Sequence, residues 1–251
     1  MLLAMRALLA VVLFAGCAAE IHAPNGTITL RGRVVDAETC ASAAGCTAAP
    51  SMIVALRSDP ERVRSAPTGA DGTFILANVP IGYRHDLLVS AEGGAASVAP
   101  TLNPMVVAPT DETDRFGVEL YVLPRDPGSL LDGLRGEGID LVLGGGYVGQ
   151  AVRVEGASVT AAAGARVAMH PPPESLRFVN VIPRFVPDQP LLLPTDAVST
   201  GPFGLFVAEA DGPTDPVAVV PLEDGFLYEL VVTPLEPGFV TYAVHRGAPD
   251  L

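Results

Sequence analysis

The sequence predicts an all-β protein: two tandem β-sandwich domains behind an N-terminal signal peptide. Three observations predict it. Gly (26) and Pro (24) make up about a fifth of the 251 residues. They alternate with short runs of Val, Leu, Ile and Thr, which is the punctuation of strands and tight turns rather than of helices. The apolar share of 49% can fill a core and separates this composition from that of a disordered chain. Finally, the window 67–75 has a counterpart at 199–207, so the second half reads as a diverged copy of the first. The expected organisation is a signal peptide at 1–16, a tether at 17–26, a first sandwich at 27–123, a linker at 124–138 and a second sandwich at 139–251.

Met1 to Gly16 has the three parts of an export signal. Arg6 supplies the positive charge, Ala7 to Ala15 the apolar stretch, and Ala15 and Gly16 the small residues before a cut. The apolar run ends at Glu20, short of the roughly 20 residues that a spanning helix needs. Leu13-Phe14-Ala15-Gly16-Cys17 resembles the lipobox of bacterial lipoproteins, with Phe14 where Leu is commonest. The resemblance implies that Cys17 becomes the first residue and carries a diacylglyceryl thioether and an N-acyl chain such as palmitate. At about 0.8 kcal/mol per buried CH₂, three chains anchor a protein where a single chain binds only marginally. In that family Asp after the Cys favours the inner membrane; Ala18 here implies an outer-membrane lipoprotein facing the periplasm or the cell surface. The alternative is cleavage after Ala19, which removes Cys17 and yields a secreted protein.

The first domain opens with an alternating strand, Thr27 to Asp36. A Gly/Ala/Ser/Thr loop with Cys40 and Cys46 follows, then a second strand from Ser51 to Leu56. Asp71-Gly72 marks a tight turn, because Gly accepts positive φ and Asp bonds its own backbone. After it Phe74 and Leu76 share the core face. A turn at Asn78 to Tyr83 leads to a strand over Asp86 to Ala91. This order resembles the carboxypeptidase regulatory-like domain. It is carried by Gly32, Val34, Asp36, Val54 and Leu56, by Thr68, Asp71, Gly72 and Phe74, by Val79, Pro80, Gly82 and Tyr83, and by Leu88, Val89 and Ala91. The resemblance covers about residues 27–92 and implies a transthyretin-like (prealbumin-like) β-sandwich, closed by the strand Gly117 to Leu123.

Pro124 to Gly138 joins the halves and includes a short helix capped by Ser129. Ile139 to Leu143 reads as a strand. Val152 to Thr160 and Ala165 to His170 are both candidates for the opening strands of the second domain. Thr200-Gly201-x-x-Gly204-x-Phe206 repeats Thr68-Gly69-x-x-Gly72-x-Phe74, with Phe203 in place of Asp71. Tyr228 to Gly238 reads as the counterpart of Tyr83 to Gly94. The Pro-rich insertion His170 to Pro194 is expected as an exposed loop and contact surface.

Export places Cys40 and Cys46 in an oxidising space. With Cys17 lipidated they are the two that remain of three cysteines, and a disulfide is expected; two free thiols are the alternative. A zinc site needs four ligands, and no His or Cys pair accompanies these two. The formal net charge of −13 argues against nucleic acid. All 15 basic residues are arginine, so lysine-based nucleophilic chemistry is excluded. His22, His85, His170 and His245 are scattered, and no metallopeptidase or nucleophile-elbow motif occurs. Gly144 to Gly149 matches Gly-x-Gly-x-x-Gly, but Gln150 to Thr160 after it reads as β where a dinucleotide site needs a helix. His245-Arg246-Gly247-Ala248 shares only Arg-Gly with the tail of the hydroxyisourate hydrolases. Asp111 to Asp114 reads as a solvated acidic loop. No catalytic, metal or cofactor residue is therefore assigned. The expected function is a non-catalytic binding or structural module, anchored to a membrane by lipid, in an adhesion, spacer or assembly role. The alternatives are a carbohydrate- or envelope-polymer-binding protein and an enzyme of transthyretin-like fold. An envelope protein or a polysaccharide is the expected partner.

Overall fold

Strand burial follows the sequence alternation, since successive side chains of a strand face opposite sides. In the strand Arg84–Ala91, His85, Leu87 and Val89 are buried while their neighbours are not. The computed structural model describes residues 26–40, 45–82, 84–94, 97–109, 114–186, 189–194, 196–209 and 216–250. The expected leader, Cys17, Tyr83 and Asp111 to Thr113 lie outside the described residues.

The first half contains β1 (Thr27–Asp36), α1 (Ala37–Cys40), β2 (Met52–Leu56), β3 (Thr73–Pro80), β4 (Arg84–Ala91), β5 (Val98–Ala99), β6 (Thr101–Val107) and β7 (Asp114–Pro124). One sheet has the order β3-β1-β7-β5; β2, β4 and β6 form the facing layer. Strands β1 and β7 run parallel, and the other pairs are antiparallel. Leu30, Val34, Val54, Phe74, Leu87 and Leu120 fill the core between the layers.

The second half contains α2 (Leu130–Gly136), α3 (Leu141–Gly144), β8 (Gly146–Glu155), β9 (Ser158–Ala161), β10 (Arg166–His170), β11 (Ser175–Phe178), β12 (Leu205–Glu209), β13 (Val217–Leu222), β14 (Phe226–Tyr228), β15 (Val231–Thr233) and β16 (Val240–Pro249). Its β12-β8-β16 row repeats β3-β1-β7, with the β8–β16 pair again parallel. Its β10-β13-β15 sheet repeats β2-β4-β6, antiparallel throughout. The candidate Val152 to Thr160 takes in the end of β8, which matches β1, then a turn and most of β9; the candidate Ala165 to His170 holds β10, which matches β2. The downstream expectation shifts. The counterpart of β4 is β13, and Tyr228 to Gly238 holds the last residue of β14 and all of β15 instead. Leu-Val-Val runs look alike in every core strand, so pattern alone did not choose between them.

The duplicated turn keeps its glycine and threonine bonds in both copies. Gly72 N–H donates to Gly69 O (2.9 Å), and Gly204 N–H to Gly201 O (3.0 Å). Val34 N–H reaches Gly72 O, as Ala151 N–H reaches Gly204 O. The Thr68 hydroxyl accepts from Met52 N–H and donates to Ala49 O; that of Thr200 accepts from Ala165 N–H and donates to Ala162 O. Both glycines have positive φ, +77° and +66°. A Cβ on either would lie 2.4 Å or 2.2 Å from the carbonyl oxygen of Val34 or Ala151. Phe74 and Phe206 follow, both buried.

The halves are fused rather than strung together. β16 pairs in parallel with β6 at Val240–Thr101 and Thr241–Leu102. This joins seven strands in the order β11-β12-β8-β16-β6-β4-β2, and β9 on β8 and β14 on β16 bring the sheet to nine. A second core lies across the join, where Val35, Tyr121 and Leu123 meet Leu130, Leu134, Ile182 and Tyr242. Three expectations change here. Segment 124–138 contributes three buried leucines from α2 to that core. Ile139 to Leu143 holds the one-turn helix α3 rather than a strand, because the Asp140 carboxylate accepts from Val142 and Leu143 N–H and caps it. The insertion 170–194 forms β11 and buries Val179, Ile182 and Leu191 in the shared core. These three side chains tie the insertion to the core, while Pro171, Pro172 and Leu192 stay exposed, so the exposed loop that its prolines suggested is only part of the segment.

Candidate functional site

Cys40 and Cys46 are joined by a disulfide at the end of α1. His22 lies outside the described residues, and the three described histidines do not build a centre. His85 on β4 hydrogen-bonds Pro80 O through Nε2 (2.7 Å). His170 ends the edge strand β10 and is exposed. His245 is fully buried in β16. Its Nδ1 lies 3.0 Å from Glu229 O and its Nε2 lies 2.7 Å from the Tyr147 hydroxyl. A carbonyl only accepts, so Nδ1 carries the proton and Nε2 accepts from Tyr147. Burial holds this imidazole neutral, with its pKa lowered to about 4. Gly144 to Gly149 runs from α3 directly into β8, the geometry of a connector and not of a phosphate cradle. Among the described residues, no group of three His, Cys, Asp or Glu is arranged to hold a metal ion.

Two polar features occupy the join between the halves. The first surrounds α1. Glu38 is 1% exposed. One of its carboxylate oxygens accepts from Leu130 N–H (2.7 Å), at the start of α2. The other has no hydrogen-bond partner and lies 3.9 Å from Arg184 Nη1. Arg184 pairs with Asp36 (2.8 Å), whose other oxygen caps α1 through Glu38 and Thr39 N–H. Burial pushes the Glu38 carboxyl up to about 8, against the Leu130 hydrogen bond that holds it down. On another side of the join, Arg57 at the end of β2 pairs with Glu236 before β16 and lies over the Phe239 ring.

The second feature is a cleft of about 640 Å³ where β6 and β16 diverge, backed by β7 and flanked by β15. Tyr121 and Tyr242 meet at its base, ring centroids 5.0 Å apart. The Tyr121 hydroxyl donates to Glu119 (2.6 Å). Burial and that carboxylate both raise its pKa. The Asn103 side chain pins β6 to β7 by accepting from Tyr121 N–H (2.7 Å) and donating to Tyr121 O (3.0 Å). Arg84, Arg115 and Arg246 reach the cleft from β4, β7 and β16. Sequence reading missed these three arginines and Glu38. Each arginine sits at an outward position of a strand, where a charged residue is ordinary, and nothing local shows that three strands bring them together.

The fold defines an all-β protein of two β-sandwiches that share a sheet. No family model matches the chain, and no curated protein matches it in sequence. Among solved structures, it is similar to GBS52, the minor pilin of Streptococcus agalactiae, at 11% identity over 89% of this chain and 97% of that one, with a TM-score of 0.28. It is similar to a mutant of the shaft pilin SpaA from Lactobacillus rhamnosus GG at 11% identity, over 90% of this chain and all (100%) of that one, with a TM-score of 0.26. It is also similar to the TIE protein of Bacillus anthracis at 10% identity, over 89% of this chain but 34% of that one, with a TM-score of 0.26. Superpositions this loose assign no role, and the functional reading rests on the geometry above.

Proposed function

We propose that this chain is a non-catalytic structural module of the bacterial envelope, held at the membrane by a lipid on Cys17 and serving as a spacer, adhesion or assembly unit. The observation that supports it most is the fused join. One sheet and one buried core join the halves, each of which also keeps a core of its own, and this build favours a single stiff body. A protein that only transmits position between a membrane and a partner needs that property. The Arg184–Asp36 pair crosses the same join.

The anchor and the stiffness are tested separately. In a Gram-negative host the full chain should pellet with the membrane fraction and enter the detergent phase, and Cys17→Ser should move it to the soluble fraction. Membrane retention of Cys17→Ser refutes the anchor. Calorimetry of the soluble form should give one unfolding transition whose calorimetric and van't Hoff enthalpies agree. Two separated transitions refute the single body.

A further inference from the structure

The cleft between β6 and β16 has the lining of a ligand site that the structural role does not require. The two strands pair only through Val240–Thr241 and Thr101–Leu102. Beyond that point β6 stays with β4 and β16 stays with β8, and the sheet opens between them. The resulting volume, about 640 Å³, falls within the roughly 300–1,000 Å³ of small-molecule sites.

Two kinds of surface meet there. Arg84, Arg115 and Arg246 line the cleft and are exposed. None of them is in an ion pair among the described residues. Glu119 and Glu229 share the lining, and Glu119 is engaged by the Tyr121 hydroxyl. The balance of these five groups is positive, in a chain of formal net charge −13. Beside them Val107, Leu230 and Val232 are 49%, 50% and 45% exposed. Cations next to uncovered aliphatic side chains match a ligand with an anionic head and an apolar body.

An added peptide strand fits less well. Along the opening, Pro104 offers no N–H, and Met105 has a φ of +62°, so β6 presents a broken edge. The Met105 sulfur already accepts from Val232 N–H (3.2 Å).

We propose that this cleft binds an amphiphilic anion, a carboxylate or phosphate head on an aliphatic body, with the head among Arg84, Arg115 and Arg246. The inference goes beyond the structural role and is independent of the Cys17 anchor.

The test is calorimetric titration of the full chain bearing Cys17→Ser, which needs no detergent, with decanoate, decyl phosphate and decyltrimethylammonium below micelle formation. At least one anion should saturate one site per chain, weakening as salt is raised. The cation, with the same tail, should show no saturable binding. The tighter of the two anions identifies the head group. The double substitution Arg115→Gln and Arg246→Gln should weaken the anion by about tenfold or more, roughly 1.4 kcal/mol or more, with the melting temperature unchanged. Arg33→Gln, outside the cleft, should leave it unaltered. Three results would overturn the proposal: no saturable binding of either anion, equal binding of the cation, or undiminished affinity in the double variant.

Discussion

Glu38 shows how one residue couples the halves to pH. Its carboxyl is buried against Leu130 N–H and near Arg184. Its folded pKa is raised to about 8 from an ordinary 4.5. An acid whose folded value lies above its unfolded value stabilises fully below the unfolded value, and that contribution is lost as pH rises through the folded one. His245 works in the opposite direction lower down. Its folded pKa of about 4 lies below the ordinary 6.5, so stability rises with pH across that interval. The Glu38 effect therefore stands alone of the two between about pH 6.5 and pH 8. Over that window the melting temperature of the protein should fall, and Glu38→Gln, which keeps an acceptor for Leu130 N–H, should flatten the decline. An unchanged slope in Glu38→Gln contradicts the assignment. The sequence held no sign of this role: Glu38 follows a strand and precedes Cys40, where a carboxylate is usually solvated.

The repeated turn is the element that the sequence exposed best. Thr-Gly-x-x-Gly-x-Phe occurs twice, and both copies share the bonds of their glycines and threonine. The reason is local. Gly72 and Gly204 adopt positive φ and approach a carbonyl too closely for any Cβ. The threonine hydroxyl closes the turn onto the neighbouring strand at both sites. Gly72→Ala and Gly204→Ala should each cost about 2 kcal/mol or more in urea unfolding, from strain in the left-handed region and displacement of that carbonyl. A cost near zero at either site would separate the two turns. The variable position inside the motif diverged with its surroundings. Asp71 is exposed and bonds Thr73, whereas Phe203 packs near Phe185 against the shared core, ring centroids 6.0 Å apart. The one-turn helix α3 was not legible, since Leu141-Val142-Leu143 has β composition and a single capping carboxylate decides its state.

At the scale of the molecule, the shared core converts two repeats into one body. Leu134 of α2 is fully buried there, among side chains from both halves. Leu134→Ala should destabilise the whole protein by about 2–5 kcal/mol and keep a single unfolding transition. Splitting into two transitions would show that the join contributes less than each sandwich alone. By itself the sequence determined the all-β class, the positions of most strands and the duplicated turn, and it favoured the Cys40–Cys46 pair that the structure shows. Those features depend on period-two alternation, glycine stereochemistry and cysteine count, all written within short stretches of chain. Only the tertiary structure decided that β16 pairs with β6, that the Pro-rich insertion buries Val179, Ile182 and Leu191, and that three arginines line the cleft where those strands part. Alternation says which face of a strand is buried but not which partner buries it. Edge pairing and convergence depend on contacts between residues far apart in the chain, such as Val240 and Thr101, and no local pattern records them.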